Sequence, residues 1–294
     1  MKSTLVLCLM HIISLLPLCI ARFFGQVTGE LMVAFKTQPF RVTQRNLSLC
    51  FPHQSKQANE KLARHRMRHL GQTFLETPVL WRRSSQWREK RIIAIEGESF
   101  LQEALANEKG TILLIPHQGS WEFLNLWLAT QSTITSLYQP PKMATLANWM
   151  KHCREKTGAN LVPTNVSGVA ALLKTLKKGK SVVILPDQQP PKTSGDFAPL
   201  FGIQALTMTL THNLLKRSDS QAIFGCALRE PGGWRLHFSP ADPSIYSADQ
   251  GLSLQTMNAG IESVATLAPT QYQWEYKRFR ARPEGYPPIY SSGS

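Results

Sequence analysis

The most informative part of this chain is the stretch Thr111-Ile-Leu-Leu-Ile-Pro-His-Gln-Gly-Ser-Trp-Glu-Phe123. Residues 111–115 are apolar almost without interruption, which is typical of a strand covered on both faces in a parallel sheet. Gly119 permits a tight turn, and Ser120 is a favourable N-cap for a helix that begins at Trp121. The stretch therefore predicts a buried strand, a turn that carries His117, and a helix.

Helical and strand-like runs alternate through the rest of the chain. The predicted strands are 111–115, 135–138, 159–162, 181–185, 221–228 and 234–238. The predicted helices are 99–107, 121–130, 142–156, 166–178, 206–216 and 251–266. This alternation predicts an α/β fold in which helices flank a mostly parallel central sheet.

The first residues form an apolar stretch of bilayer length. Between Lys2 and Arg22 lie 19 uncharged residues, which as one helix span about 28 Å, close to the hydrocarbon thickness of a bilayer. They predict an uncleaved N-terminal transmembrane helix, although a cleaved signal peptide has similar features. The basic residues that follow predict a cytoplasmic body behind a single-pass anchor.

Positive charge is concentrated behind this apolar stretch. The chain has a formal net charge of +14, and residues 36–92 carry 13 Lys/Arg against 3 Asp/Glu. Next to an apolar span, such a cluster indicates an anionic membrane surface rather than nucleic acid, while a merely solvated face is the alternative. We divide the chain into an anchor (1–22), a basic, mainly helical membrane-proximal segment (23–92), an α/β body (93–285) and a flexible tail (286–294).

His117 is the candidate catalytic residue. It follows a strand at the carboxyl edge of the predicted sheet, where α/β proteins place their sites. Glu122 lies in the first turn of the next helix, and a carboxylate that binds one imidazole nitrogen leaves the other free to take a proton. We predict that Glu122 orients His117 as a general base; the alternative is a surface histidine in a loop.

Other kinds of catalytic centre are not indicated. The five cysteines are scattered without a C-x-x-C pair, which argues against a disulfide framework or a zinc site. There is also no G-x-S-x-G motif, so we predict no covalent intermediate, no metal and no cofactor.

Several blocks occur in one order along residues 45–285 and together resemble the lipid A late acyltransferases, which carry an H-x4-D/E motif. The blocks are Arg45-Asn46-Leu47 with Phe51-Pro52, His117-Gln-Gly-Ser-Trp-Glu-Phe123, Leu137-Tyr138-Gln139-Pro140, Leu185-Pro186-Asp187-Gln188, Phe197-Ala-Pro-Leu-Phe-Gly202 and the closing segment 271–285. The resemblance implies that the chain transfers a fatty-acyl group from an acyl carrier protein thioester, or from acyl-CoA, to a hydroxyl of a lipid A precursor. The resemblance also implies that this reaction belongs to lipopolysaccharide biosynthesis and takes place at the bacterial inner membrane.

The same resemblance implies roles for individual residues. Arg154 would hold an acceptor phosphate or the donor carbonyl oxygen, unless it is an ordinary helix-surface arginine. Asp187 and Gln188 would line the site, although Asp187 also suits a loop cap. We expect the oxyanion to be stabilised by Arg154 or by backbone N–H groups of the turn 119–121.

Gln139 stands where the family has the arginine of its Y-R-P block. The acceptor is therefore open between a lipid A precursor, another glycolipid and a lysolipid. A lysophospholipid acyltransferase with the same His/Glu pair is the alternative enzyme, against which the later blocks argue. A non-catalytic lipid-binding paralogue is the alternative without chemistry, against which the intact H-x4-E motif argues.

Overall fold

The computed structural model describes residues 2–141 and 143–290, with side chains from residue 6 onwards. The helices in these ranges are α1 (Lys2–Leu15), α2 (Leu18–Ala34), α3 (Gln38–Cys50), α4 (Lys56–Arg82), α5 (Ser85–Glu89), α6 (Glu98–Ala106), α7 (Trp121–Gln131), α8 (Ala144–Glu155), α9 (Val166–Leu176), α10 (Leu210–Leu215) and α11 (Gln250–Leu267). The strands are β1 (Ile92–Glu96), β2 (Thr111–Leu114), β3 (Ile134–Tyr138), β4 (Asn160–Pro163), β5 (Ser181–Ile184), β6 (Gly195–Leu200), β7 (Ile203–Met208), β8 (Gln221–Glu230) and β9 (Gly233–Pro240).

The central sheet has the strand order β1-β9-β8-β2-β5-β3-β4. All neighbouring pairs are parallel except β8 and β9, which are antiparallel. β2 lies in the middle, and alternate residues of it enter two different core clusters, Ile112 and Leu114 in one, Leu113 in the other. The prediction of an α/β fold with a mostly parallel sheet, buried on both faces at β2, is confirmed.

Two strands form a separate hairpin that the sequence did not predict. β6 and β7 pair in an antiparallel register that ends at Leu200 and Ile203. The two residues between them, Phe201 and Gly202, have φ values of 50° and 73°, which is the backbone of a tight two-residue hairpin turn. The predicted helix 206–216 is therefore wrong over its first residues, because β7 continues to Met208 and α10 begins only at Leu210.

The predicted membrane anchor is not one continuous helix. α1 ends at Leu15 and α2 begins at Leu18, because Pro17 has no N–H to donate into a continuing helix. Among the described residues, no single helix is both long and apolar enough to cross a membrane, whereas α2 and α3 pass that test together but are bent by 79°. The single-pass anchor stays a prediction.

α2 packs closely against α4 through glycine. A Cβ atom at Gly25 would lie 2.6 Å from backbone atoms of Gln72, and one at Gly71 would collide with the carbonyl oxygen of Gly25. Two helix backbones can approach this closely only where the residues at the helix crossing have no side chain, as in small-xxx-small helix pairs. α2 is thus fixed against α4 by direct backbone contact.

We expect Gly71→Ala to lower the free energy of unfolding by about 2 kcal/mol or more, because the added methyl group meets backbone that has no room to move. Gly251→Ala is the matched control, since Gly251 is exposed in the first turn of α11 and a Cβ there would meet only the Asp249 carboxylate, at 3.2 Å. The control is expected to be neutral or to stabilise by up to about 1 kcal/mol. Chemical denaturation in detergent measures both; equal effects at the two sites would contradict the packing described.

Hydrogen bonds join the first of the sequence blocks, which contains Asn46, to the closing segment 271–285. Asn46 donates from Nδ2 to the carbonyl oxygens of Trp274 and Tyr276, at 2.6 and 2.9 Å, and its Oδ1 accepts from the Tyr290 hydroxyl at 2.7 Å. Burial raises the pKa of Tyr290 to about 12. The predicted flexible tail (286–294) is thus held at Tyr290, while residues 291–294 lie outside the described part of the chain.

Candidate active site

The turn between β2 and α7 is fixed by backbone hydrogen bonds. Gly119 has a φ of 59°, and a Cβ there would collide with the carbonyl oxygen of Ala227. Its N–H donates to the Gln271 carbonyl at 3.1 Å, and the Ser120 N–H donates to the Ala227 carbonyl at 2.8 Å. The predicted oxyanion role of the N–H groups of Gly119 and Ser120 is therefore wrong, because both already have partners.

His117 is bonded to Asp187 rather than to Glu122. Its Nδ1 lies 2.7 Å from Asp187 Oδ1, and its backbone N–H donates to Asp187 Oδ2 at 2.8 Å. The two residues meet because β2 and β5 are neighbours whose last residues, Leu114 and Ile184, are paired. His117 and Asp187 each lie three residues beyond the last residue of their strand. Both side chains therefore reach the same point at the carboxyl edge of the sheet.

The charge on Asp187 is stabilised by its partner. Burial alone would raise the pKa of this carboxyl group, but the charge of His117 and its two hydrogen bonds hold the pKa of Asp187 below its ordinary value. Asp187 is thus an anion at neutral pH. An anion at Nδ1 favours the tautomer in which Nδ1 carries the proton and Nε2 is the free base.

Gln188 occupies the other side of the imidazole. Its side-chain Nε2 lies 3.2 Å from His117 Nε2 and donates to Gln273 Oε1 at 2.9 Å. With Nδ1 protonated, His117 Nε2 accepts this hydrogen bond. Gln188 therefore marks the side from which a hydrogen-bond donor approaches His117 Nε2.

Glu122 is part of a second buried ion pair. Its carboxylate accepts from Arg154 Nε at 2.9 Å and Arg154 Nη2 at 2.6 Å, and from Trp81 Nε1 at 2.7 Å. The prediction that Glu122 orients His117 is wrong, because the first turn of α7 directs this side chain toward α4 and α8. Burial opposes the charge of Arg154, but Glu122 outweighs it and holds the pKa of Arg154 above its ordinary value.

One residue of each pair, His117 and Arg154, lines a cavity of about 480 Å³, whereas Asp187, which was predicted to line the site, and Glu122 do not line it. His117, Gln188, Arg154 and Gln139 all line it, so the structure brings these four predicted residues together. Most of the other lining side chains are apolar or aromatic: Trp121, Leu137, Tyr138, Pro141, Met150, Val183, Ile184, Leu185, Pro190, Met208 and Leu210. The cavity is therefore suited to an apolar chain that ends beside a base and a guanidinium group.

Gln139 lies at the exposed edge of this cavity. Its Oε1 accepts a hydrogen bond from the Thr164 hydroxyl. The chain thus presents a neutral amide at this edge, and the charged Arg154 borders the same cavity.

A buried network behind the turn was not predicted. Ser120 does not cap α7 with its side chain; its hydroxyl donates instead to Glu76 Oε1 at 2.7 Å. Glu76 also accepts from Arg22 at 3.0 Å and from Arg229 at 2.6 Å. The sequence signal for this network was the presence of charged residues inside otherwise apolar segments, a pattern that indicates buried ion pairs.

Replacing Glu122 with alanine is expected to destabilise the protein by about 3–5 kcal/mol, because Arg154 would keep a buried charge without its partner. The double variant Glu122→Leu with Arg154→Met removes both charges and is expected to recover most of this loss. Urea denaturation measures both variants. A double variant that is less stable than the single one would contradict the pairing.

Within residues 2–141 and 143–290, no group of three or more His, Cys, Asp or Glu side chains could hold a metal ion. Cys50, Cys153 and Cys226 are buried, and burial raises the pKa of each thiol. None of these three cysteines lines the cavity beside His117.

The site thus places a histidine that is bonded to a buried carboxylate, together with a buried arginine, beside an apolar cavity, an arrangement that fits an acyltransferase. A model of the bacterial lipid A biosynthesis acyltransferase family matches residues 2–281. The chain belongs to this family and is therefore an O-acyltransferase.

Individual members of this family match the sequence of this chain over most of its length. The chain is 28% identical over 285 residues to the lipid A biosynthesis lauroyltransferase of Escherichia coli (strain K12), covering 94% of this chain and 90% of that protein. It is 26% identical over 281 residues to the palmitoleoyltransferase of the same organism, with the same coverage. The myristoyltransferase is 21% identical over 243 residues, 82% of this chain and 75% of that protein.

Proposed function

We propose that this protein transfers a fatty-acyl chain from an acyl carrier protein thioester to a hydroxyl of a lipid A precursor during lipopolysaccharide biosynthesis. The observation that carries the proposal is the His117–Asp187 pair at the edge of an apolar cavity that Arg154 also borders. The match of the family model to nearly the whole chain supports the same reaction.

In the proposed reaction His117 acts as the general base. The acceptor hydroxyl replaces the Gln188 amide at Nε2, gives its proton to that nitrogen and attacks the thioester carbonyl carbon. The C–O bond forms, the tetrahedral intermediate collapses, and the C–S bond breaks. The departing thiolate takes the proton from the imidazolium, so that the base is restored.

Asp187 and Arg154 would stabilise the charges that develop. Asp187 holds the imidazole in position and stabilises the imidazolium through the 2.7 Å contact. Arg154 is placed by Glu122 through Nε and Nη2, and its positive charge would stabilise the oxyanion. Glu122 in this scheme is a positioning residue for Arg154.

We propose that the reaction takes place at the cytoplasmic face of a bacterial inner membrane. Large apolar side chains are exposed along α1 and α2: Leu9, Ile12, Leu15, Ile20, Phe23, Phe24, Val27 and Leu31. Contiguous apolar exposure of this kind is typical of a membrane-binding surface. The basic segment 36–92 follows it and would contact anionic headgroups and the acidic carrier protein.

An in vitro transfer assay tests the function. Purified protein in detergent is given an acyl carrier protein thioester or the matching acyl-CoA, with a lipid A precursor or a lysophospholipid as acceptor. We expect transfer from the carrier protein to the lipid A precursor. Acylation of the lysophospholipid alone would show that the acceptor assignment is wrong, and no transfer with any pair would support a non-catalytic paralogue.

A further inference from the structure

A second cavity, of about 760 Å³, lies between the start of α2, the middle of α4 and the turn that joins β8 to β9. It shares no lining residue with the cavity beside His117. Four arginines line it, and we call it the basic cavity after them: Arg22, Arg83, Arg91 and Arg229.

Two of these arginines form the floor of the basic cavity through Glu76. Arg22 donates to Glu76 and to the carbonyl oxygens of Glu230 and Gly233. Arg229 is only 6% exposed and donates to Glu76 from Nε, but its Nη1 has no hydrogen-bond partner in the described structure. A buried guanidinium N–H without an acceptor costs free energy unless a ligand supplies one.

The other two arginines have no carboxylate partner among the described residues. Arg83 donates from Nη2 to the Leu16 carbonyl at 3.3 Å, and its Nε is also without a partner. Arg91 donates to the Trp87 carbonyl at 3.0 Å and stacks on the Trp87 ring at 3.9 Å. Glu230, which lines the basic cavity, is already paired with Arg235 at 2.6 Å.

Positive charge predominates among the residues that line the basic cavity, with four arginines against the carboxylate of Glu230. Burial, followed by the charges of Arg229 and Arg66, lowers the pKa of His69 to about 3. Burial also lowers the pKa of Arg229 to about 10; Glu76 opposes this shift, and Arg22 and Arg66 add to it. Because Glu230 is already paired with Arg235, the excess of lining arginines favours an anionic ligand.

One wall of the basic cavity is apolar and continues onto the exposed surface of α2. Leu18 and Phe23 line it, and Phe23 is 58% exposed. The neighbouring side chains Ile20 and Phe24 are 40% and 51% exposed. A ligand that satisfies both parts of this surface has an anionic head and an apolar body.

We propose that the basic cavity binds the phosphate headgroup of a membrane lipid whose chains lie along the exposed apolar side chains of α2. Guanidinium groups bind phosphate oxygens through strong charge-assisted hydrogen bonds. Arg83 and Arg91, which are partly exposed and line the basic cavity, are the guanidinium groups that would contact the phosphate. The site is separate from the acyl-transfer cavity, and the proposal does not depend on which substrate that cavity accepts.

Calorimetric titration of the full chain in nonionic detergent tests the proposal, with dihexanoyl phosphatidic acid as the probe. We expect Arg83→Gln with Arg91→Gln to weaken binding by about tenfold or more, because two charge-assisted contacts are lost. Arg91→Gln alone is expected to give a smaller loss in the same direction. Both arginines are partly exposed, and unchanged thermal midpoints would show that the variants fold.

The matched control is Lys177→Gln with Arg217→Gln, which removes the same charge from exposed residues near the opposite edge of the sheet. It is expected to bind the probe like the wild type, and dihexanoyl phosphatidylcholine is expected to bind at least about tenfold more weakly than the phosphatidic acid. An equal loss in the control would overturn the proposal in favour of unspecific charge. Inorganic phosphate that binds as tightly as the lipid probe would overturn the lipid assignment.

Discussion

His117→Ala is expected to reduce kcat/KM for acyl transfer by about 10²–10⁴-fold, because the variant has no group to take the proton from the attacking hydroxyl. The loss should fall mainly on kcat, since the side chain contributes little to substrate binding. Initial rates with an acyl carrier protein thioester and a lipid A precursor measure it.

His53→Ala is the matched control for this substitution, because His53 is exposed in the connection that leads into α4. The control is expected to retain the full rate. If His117→Ala keeps more than about a tenth of the wild-type rate, the histidine is not the base.

Asp187→Asn is expected to reduce kcat/KM by about 10²–10⁴-fold while the protein still folds. The carboxylate that fixes the Nδ1–H tautomer and stabilises the imidazolium is then absent, although the size of the side chain is kept. Loss of this anion disfavours the protonated imidazole, so we expect the acid limb of the pH–rate profile to move to lower pH by about one unit or more.

Glu122→Gln is the comparison that separates the two carboxylates. This substitution keeps the hydrogen bond to Trp81 and weakens the ion pair with Arg154. We therefore expect a lower kcat, with a shift of the acid limb that is smaller than in Asp187→Asn. Because the pKa of Asp187 lies below its ordinary value, this carboxylate is charged throughout the assay range. A larger shift of the acid limb in Glu122→Gln than in Asp187→Asn would contradict the assignment.

The strand-turn-helix around His117 was predictable because its signals are local. An apolar run, a glycine and an N-cap residue act on the backbone within a few residues, and β2, the turn and α7 follow them. The hairpin of β6 and β7 was missed, although Phe201-Gly202 lies between runs of strand length. Its turn includes Phe201 with a positive φ, a conformation that phenylalanine seldom adopts and that the sequence alone does not reveal.

The partner of His117 could not be read from spacing. Glu122 is five residues away and Asp187 is 70, yet strand order decides which carboxylate reaches the imidazole. One signal was present in the sequence: Ile115-Pro116-His117 and Leu185-Pro186-Asp187 end two buried strands in the same way. If those strands are neighbours, the histidine and the aspartate are brought together.

In the N-terminal region, too, the sequence did not reveal which elements contact each other. Length and hydropathy predicted one helix over residues 3–21, but Pro17 interrupts it. Gly25 and Gly29 are spaced four apart, as in close helix pairs, and with Gly71 they place α2 against α4. The sequence contained the spacing but not the identity of the partner helix.

The central claim is that Asp187, and not Glu122, fixes the tautomer of His117. Nitrogen-15 NMR of histidine-labelled protein tests it most directly, with the signals of His117 assigned by their loss in His117→Ala. We expect a proton on Nδ1 and an unprotonated Nε2 in the wild type and in Glu122→Gln, and loss of this preference in Asp187→Asn. A tautomer that is unchanged in Asp187→Asn but altered in Glu122→Gln would contradict it.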